Sequence, residues 1–251
     1  MTMNQYLFLF FFSFALNFVS AQSNIEIKSK TEQYKFTDKS IIKDSTGDIY
    51  PAKQWQPLVQ TRFYGLKPIN PTNPEEGFLI YHLTKKEKYK RDSIFFNQVD
   101  RYPMPFQTWS FSNGNRISDF KTKDIDGKKI DLNELHGKII VLYFWYIKCP
   151  WCIAEIPVLN SITEHFENNS DVVFIAVGLD NKFEIRDFIK TIPFNFVLLY
   201  DCRFLTIQYS IPLFPTHVII DRKGIVRFSS TQVGNATTLW LKKTIDDLLK
   251  E

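Results

Sequence analysis

The chain has 251 residues, is 44% hydrophobic and 16% aromatic, and carries a formal net charge of +4. That is enough apolar material for one large domain, or a domain with an extension, to fold on a core without disulfide staples. The one basic cluster is Lys85, Lys86, Lys88, Lys90 and Arg91, interrupted by Glu87 and Tyr89. It reads as a solvated face or loop, and the spread of the remaining charge argues against a nucleic-acid partner.

Residues 1–21 read as a signal peptide. Tyr6 to Val19 is a mostly apolar run without charge, and Val19-Ser20-Ala21 sets up cleavage before Gln22. Met1 to Gln5 departs from the pattern in having no Lys or Arg. Export, to the periplasm, is the expectation; a membrane anchor formed by residues 6–19 is the alternative, and it is short against the roughly 20 residues of a span. In an oxidising compartment thiols tend to become disulfides. The three cysteines are an odd number, two of them spaced C-x-x-C, too few for a stapled framework.

Residues 22–112 form an N-terminal region of unknown role and uncertain structure. Asp44 to Asp48 is a turn, and Pro51, Pro57, Pro68, Pro71 and Pro74 break up any long helix. Phe78–Leu83 reads as a strand, with Phe63-Tyr64 in another, and Trp55, Phe63, Tyr64, Phe78 and Tyr81 point to packing. Tyr102-Pro103-Met104-Pro105 is the expected linker. From about 113 to 251 the pattern becomes regular. Asp124–Lys129 is a turn between short strands, and Asp131 can cap the turn Leu132–Leu135. Ile139–Trp145 is an unbroken apolar run, the mark of a buried central strand. A helix follows from Pro150 to about Phe166, with Ile153, Ile156, Leu159, Ile162 and Phe166 at helical spacing. Next come a strand at Val172–Val177, a helix at Asn181–Ile192 with Phe183, Phe188 and Ile189 inward, and a strand at Phe196–Tyr200. A short helix at Phe204–Tyr209, a strand pair at His217–Ile220 and Ile225–Phe228, and a closing helix at Ala236–Lys250 complete an α/β pattern: a central mixed sheet flanked by helices.

Residues 113–251, carrying Trp145, Cys149-Pro150-Trp151-Cys152, Glu155, Pro157 and Phe214-Pro215-Thr216, resemble the thioredoxin-like fold, and more narrowly the exported thiol–disulfide oxidoreductases of the TlpA/ResA type. The Asp126-Gly127 turn, Leu135-His136-Gly137-Lys138 and the added helix and strand between Asn181 and Tyr200 narrow the likeness. The resemblance implies a cis proline at Pro215 packed beside the cysteine pair, no cofactor, protein substrates bearing disulfides or thiols, and a membrane electron donor. The direction it implies is reduction, with apocytochrome c during haem attachment among the targets. An oxidase or isomerase, and a partner-binding module on a thioredoxin-like scaffold, are the alternatives.

Two cysteines three apart in a first helical turn have Cα atoms about 5–5.5 Å apart, within reach of a disulfide. Cys149 sits where unpaired N–H groups and the helix dipole favour a thiolate, with Lys148 adding positive charge. Pro150 suits the first helical position. Cys149 is therefore the attacking sulfur and Cys152 the resolving one. A zinc site matches three ligands, Cys149, Cys152 and His165, and lacks a fourth. Glu155, three residues after Cys152, can take its proton or else is a surface glutamate. Tyr143 stands where cytoplasmic thioredoxins carry a buried aspartate, and tyrosine is a poor base. Trp151, Phe214 and Pro215 offer a substrate-binding rim. Pro157 kinks the helix; Trp145 is core or a buttress; His217 is core or edge, with a redox-site role as the alternative; Cys202 is a buried free thiol, with intermolecular or regulatory pairing as the alternative. His82 and His136 join no constellation.

Overall fold

In the computed structural model, residues 26–28, 33–60 and 62–251 are described, so the expected signal peptide lies outside the described residues. Strands β1 (Glu26–Lys28) and β2 (Gln33–Lys35) pair antiparallel. Then come β3 (Ile42–Lys43), helix α1 (Ala52–Gln60), β4 (Tyr64–Pro68) and β5 (Phe78–His82). The last three strands form a sheet in the order β3-β5-β4. Its core is Phe36, Ile42, Trp55, Val59, Phe78 and Ile80. Trp55 and Val59, four apart on α1, share the buried face. The prolines leave only a short helix here, the nine-residue α1, which runs through Pro57.

The basic cluster lies on helix α2 (Lys85–Phe96), started by a capping box between Thr84 and Glu87, rather than in a loop. Lys85, Lys86 and Lys90 form a solvated face, as expected, while Lys88 and Asp92 are buried. Lys88 Nζ donates to both carboxylate oxygens of Glu164, at 2.7 and 2.6 Å. The expected linker follows, and the Tyr102 carbonyl in it accepts the Trp240 indole N–H.

Packing on the second unit begins ahead of residue 113: the Thr108 N–H donates to Ser229 Oγ, whose hydroxyl donates to the Phe111 carbonyl. Strands β6 (Lys121–Lys123) and β7 (Lys129–Asp131) form the small hairpin, turned by Gly127 at φ 89°. The rest is β8 (Ile139–Trp145), α3 (Pro150–His165), β9 (Val172–Gly178), α4 (Lys182–Thr191), β10 (Val197–Leu199), α5 (Arg203–Gln208), β11 (Thr216–Ile220), β12 (Val226–Ser230) and α6 (Asn235–Leu248). The five strands lie in the order β10-β9-β8-β11-β12, with β10, β9 and β8 parallel and β11 antiparallel to both its neighbours.

All seven residues of β8 are buried, each large apolar side chain worth about 1.5–3 kcal/mol. Strand alternation divides them between two cores. Ile139, Val141, Tyr143 and Trp145 face α3 and α6, while Ile140, Leu142 and Phe144 face α5 and the segment before β6. On α4 the expectation of Phe183 inward is wrong. Phe183 is 78% exposed, and Ile185 takes the buried position with Phe188 packed at its edge.

Candidate active site

Strand β8 delivers the chain to the site. Past Trp145 it turns, with the Ile147 N–H held by Asp180 Oδ2 at 2.7 Å and the Cys149 N–H by the Tyr146 carbonyl. Helix α3 then begins. Cys149 is its N-cap, Pro150 fills the first position, and Cys149 Sγ accepts the Cys152 N–H at 3.1 Å. The two sulfurs are joined as a disulfide with Cα atoms 5.2 Å apart, as the spacing predicts. Cys149 is 2% exposed and Cys152 is not exposed at all. Exposed beside them are Lys148 and Trp151, the latter 65% exposed.

The Phe214–Pro215 bond is cis, as the resemblance implies. Thr216 pairs with Phe144, so Pro215 lies at the same end of the sheet as the cysteines. Phe214 is half-buried and meets the Tyr146 ring edge-on at 5.4 Å. Trp145 is wholly buried in the same cluster as both cysteines, against Phe188 and Phe194.

Beneath the disulfide the polar groups are placed differently from a surface helix. Glu155 is 4% exposed. Its Oε1 accepts the Gly234 N–H at 3.1 Å, and its Oε2 lies 3.0 Å from His217 Nε2. The Tyr143 hydroxyl donates to the Cys152 carbonyl at 3.0 Å. Burial, and then the Glu155 charge, push the Tyr143 phenol well above its ordinary range, so it stays protonated and is no base.

His217 is core rather than edge: β11 is an interior strand, and the wholly buried ring lies against Glu155 and 5.0 Å from the Tyr143 ring. His217 pairs with Tyr143 across the strands and so points to the cysteine side of the sheet, a register that no local pattern in the sequence gives. The remaining candidates fall elsewhere. His165, at the far end of α3, is roughly 20 Å along the helix from Cys152 and stacks on Tyr89. Cys202 is wholly buried in the opposite core, its thiol raised by burial to about 12. Pro157 lies inside α3.

A mixed sheet that ends in a disulfide-bearing helix start beside a cis proline defines a thioredoxin-like thiol–disulfide oxidoreductase. The comparisons agree. The AhpC/TSA family matches residues 113–229. The thiol–disulfide oxidoreductase ResA of Bacillus thuringiensis subsp. konkukian is 30% identical over 134 residues, 52% of this chain and 77% of that protein. The thioredoxin-like protein YneN of Bacillus subtilis is 27% identical over 148 residues, 56% of this chain and 86% of that protein. A thiol:disulfide interchange protein DsbE from Chlorobium tepidum shares the fold, with TM-score 0.51, 23% identity, and 55% and 99% of the two chains covered. The chain belongs to the ResA-type thiol–disulfide oxidoreductases. Among the described residues no helix is long and apolar enough to cross a membrane.

Proposed function

We propose that this chain is an extracytoplasmic reductant of protein disulfides, working through Cys149 and Cys152. The observation that carries the reading is the Cys149–Cys152 disulfide set on the first turn of α3, with the buried Glu155 carboxylate on the same helix behind it. In the reduced protein the helix start favours a Cys149 thiolate. It attacks a target disulfide and forms a mixed disulfide. Cys152, losing its proton to Glu155, attacks the Cys149 sulfur, closes the pair and releases the target as a thiol. Trp151, Phe214 and the cis Pro215 are the apolar rim against which an extended target lies.

The reductive direction rests on the likeness to the ResA-type relatives, with apocytochrome c disulfides as the target class and a membrane donor returning the electrons. Residues 1–21 direct export, residues 22–112 form the N-terminal extension and residues 113–251 the redox domain. Cys152→Ser should accumulate mixed disulfides through Cys149, while Cys149→Ser should trap nothing. A potential for the pair near about −270 mV supports a reductant, and one near about −120 mV an oxidant. Loss of neither insulin reduction nor trapping in the two variants sinks the enzymatic role of the pair.

A further inference from the structure

The turn that carries Cys149 to the start of α3 is fastened to the corner after β9. The Leu179 N–H donates to the Trp145 carbonyl at 3.2 Å, and the Ile147 N–H donates to Asp180 Oδ2 at 2.7 Å. The corner is itself anchored. The Cys202 N–H donates to the Gly178 carbonyl and the Asp201 N–H to the Asp180 carbonyl, at 3.0 and 2.9 Å. The turn is tight, with the Cys149 N–H on the Tyr146 carbonyl at 3.1 Å. That carbonyl and the Ile147 N–H belong to one planar peptide. The chain of contacts therefore puts the Asp180 carboxylate within about 8 Å of the Cys149 nitrogen. At that range, about one Debye length at physiological salt, a negative charge still works against a thiolate.

Building on the reductant reading above, we propose that Asp180 is a positioning residue that fixes the Cys149 turn and whose charge restrains the Cys149 thiolate, biasing the pair toward giving electrons. The helix start and the exposed Lys148 pull the other way and favour the thiolate. A disulfide and a neutral thiol carry no net charge, so Asp180 acts on the thiolate of the reduced pair alone. A strongly stabilised reduced form makes an oxidant, and a restrained one a reductant. In the attack the Cys149 sulfur bonds to one target sulfur, the target S–S bond breaks, and the other target sulfur leaves with the electron pair and takes a proton from solvent. The charged and titratable groups about Cys149 come from five elements. Lys148 lies on its own turn, and Asp180 on the β9–α4 corner. Glu184 and Asp187, on α4, share a cavity with Lys148 and Asp180. Tyr143, Glu155 and His217 come from β8, α3 and β11. Glu184 accepts the Asn181 N–H, Asp187 pairs with Lys190, and Glu155 meets Gly234 and His217. Asp180 is the carboxylate bonded to the turn itself.

The test follows the rate at which iodoacetamide alkylates Cys149 in the reduced full chain against pH, which gives the thiol midpoint. Asp180→Asn keeps an oxygen to accept the Ile147 N–H and loses the charge. Its midpoint should fall by about half a unit, and the potential of the pair at about pH 8 should become less negative. Salt at about 1 M should shrink that fall. Lys148→Gln should move midpoint and potential the other way. Asp180→Ala should quicken hydrogen exchange at the Ile147 amide, and Asp180→Asn should not. A midpoint that stays or rises in Asp180→Asn overturns the restraint on the thiolate, because a purely structural role would leave it in place. Unchanged exchange in Asp180→Ala overturns the fastening of the turn. Should Asp180→Asn not fold, Asp180→Ser, neutral and with a hydroxyl to accept the N–H, carries the same test. A wild-type potential on the oxidant side would sink the reductant reading by itself, and the midpoint in Asp180→Asn would still decide the role of Asp180.

Discussion

The two faces of the central sheet hold the same reactive element in opposite states. On one face Cys149 and Cys152 are linked at a helix start, with Tyr143, Glu155 and His217 packed beneath them. On the other, Cys202 is a single thiol in a largely apolar core, its hydrogen reaching the Tyr200 carbonyl. One strand feeds both, because successive residues of β8 alternate between them. Burial is equally complete on the two sides, so burial alone does not make a cysteine reactive. The difference lies in what is buried with it: backbone donors and an ionisable pair on one side, a mostly apolar core on the other.

Substitutions on the two faces should therefore separate stability from redox chemistry. The largest effect is expected from Phe144→Ala. Phe144 is wholly buried against Phe111 and Tyr209, and truncation should cost about 3–5 kcal/mol in a denaturant titration. The reduction potential of the folded protein should not move; a shifted potential would mean that the faces are coupled.

Tyr143→Phe makes the complementary change on the active face. It removes the hydroxyl bonded to the Cys152 carbonyl and should cost about 1 kcal/mol at neutral pH. Its pH dependence has a definite sign. Burial, with the Glu155 charge, raises the folded phenol well above the usual range, so the unfolded chain loses this proton first. Stability from this group is complete below an unfolded value of about 10 and declines as pH rises beyond it. The stability of Tyr143→Phe should fall less steeply than wild type above about pH 10. Equal slopes would remove Tyr143 as the cause.

Cys202→Ala should cost about 1 kcal/mol, the price of a small cavity, and leave turnover unchanged. In the reduced folded protein at about pH 8, iodoacetamide should label Cys149 and spare Cys202, because burial has raised its thiol to about 12. Labelling of Cys202 without unfolding would break the contrast between the faces.

What was legible in the chain was whatever is written locally. The buried strand Ile139–Trp145, the C-x-x-C at a helix start and the periodicity of α3 each declare themselves within a few residues. What was not legible depends on partners far along the chain. Glu155 is a helix glutamate until His217, 62 positions on, closes against it. The Lys85–Arg91 stretch has the composition of a solvated face or loop, yet Lys88 is buried because Glu164, 76 positions on, meets it. Phe183 has the right spacing to face inward, but it lies in the first turn of α4, where Ile185 already fills the contact with the sheet. A local pattern reports which residues can be buried; the register of distant elements decides which are.

The smallest expected effect concerns how the N-terminal unit is held to the redox domain. Helix α2 offers two lysines to the end of α3. Lys85 meets Glu167 at 2.8 Å with its side chain 82% exposed, whereas Lys88 meets Glu164 at 2.6 Å with its side chain 11% exposed. Lys88 also lies over the Phe63 ring, its Nζ 4.6 Å from the centroid. Water and salt screen the first pair, so Lys85→Ala should leave the unfolding midpoint unchanged. Lys88→Ala strips packing and charge from a mostly enclosed position and leaves Glu164 without its partner. Because Glu164 is still a third exposed, the loss should be only about 1 kcal/mol. The measurement is limited proteolysis within residues 97–107, together with denaturant unfolding. Faster cleavage in Lys88→Ala but not in Lys85→Ala identifies the enclosed pair as the clasp. Equal cleavage in both variants would assign that role to the apolar contacts of Phe96 with the α3–α6 core, with the charges serving only to keep α2 soluble on its outer face.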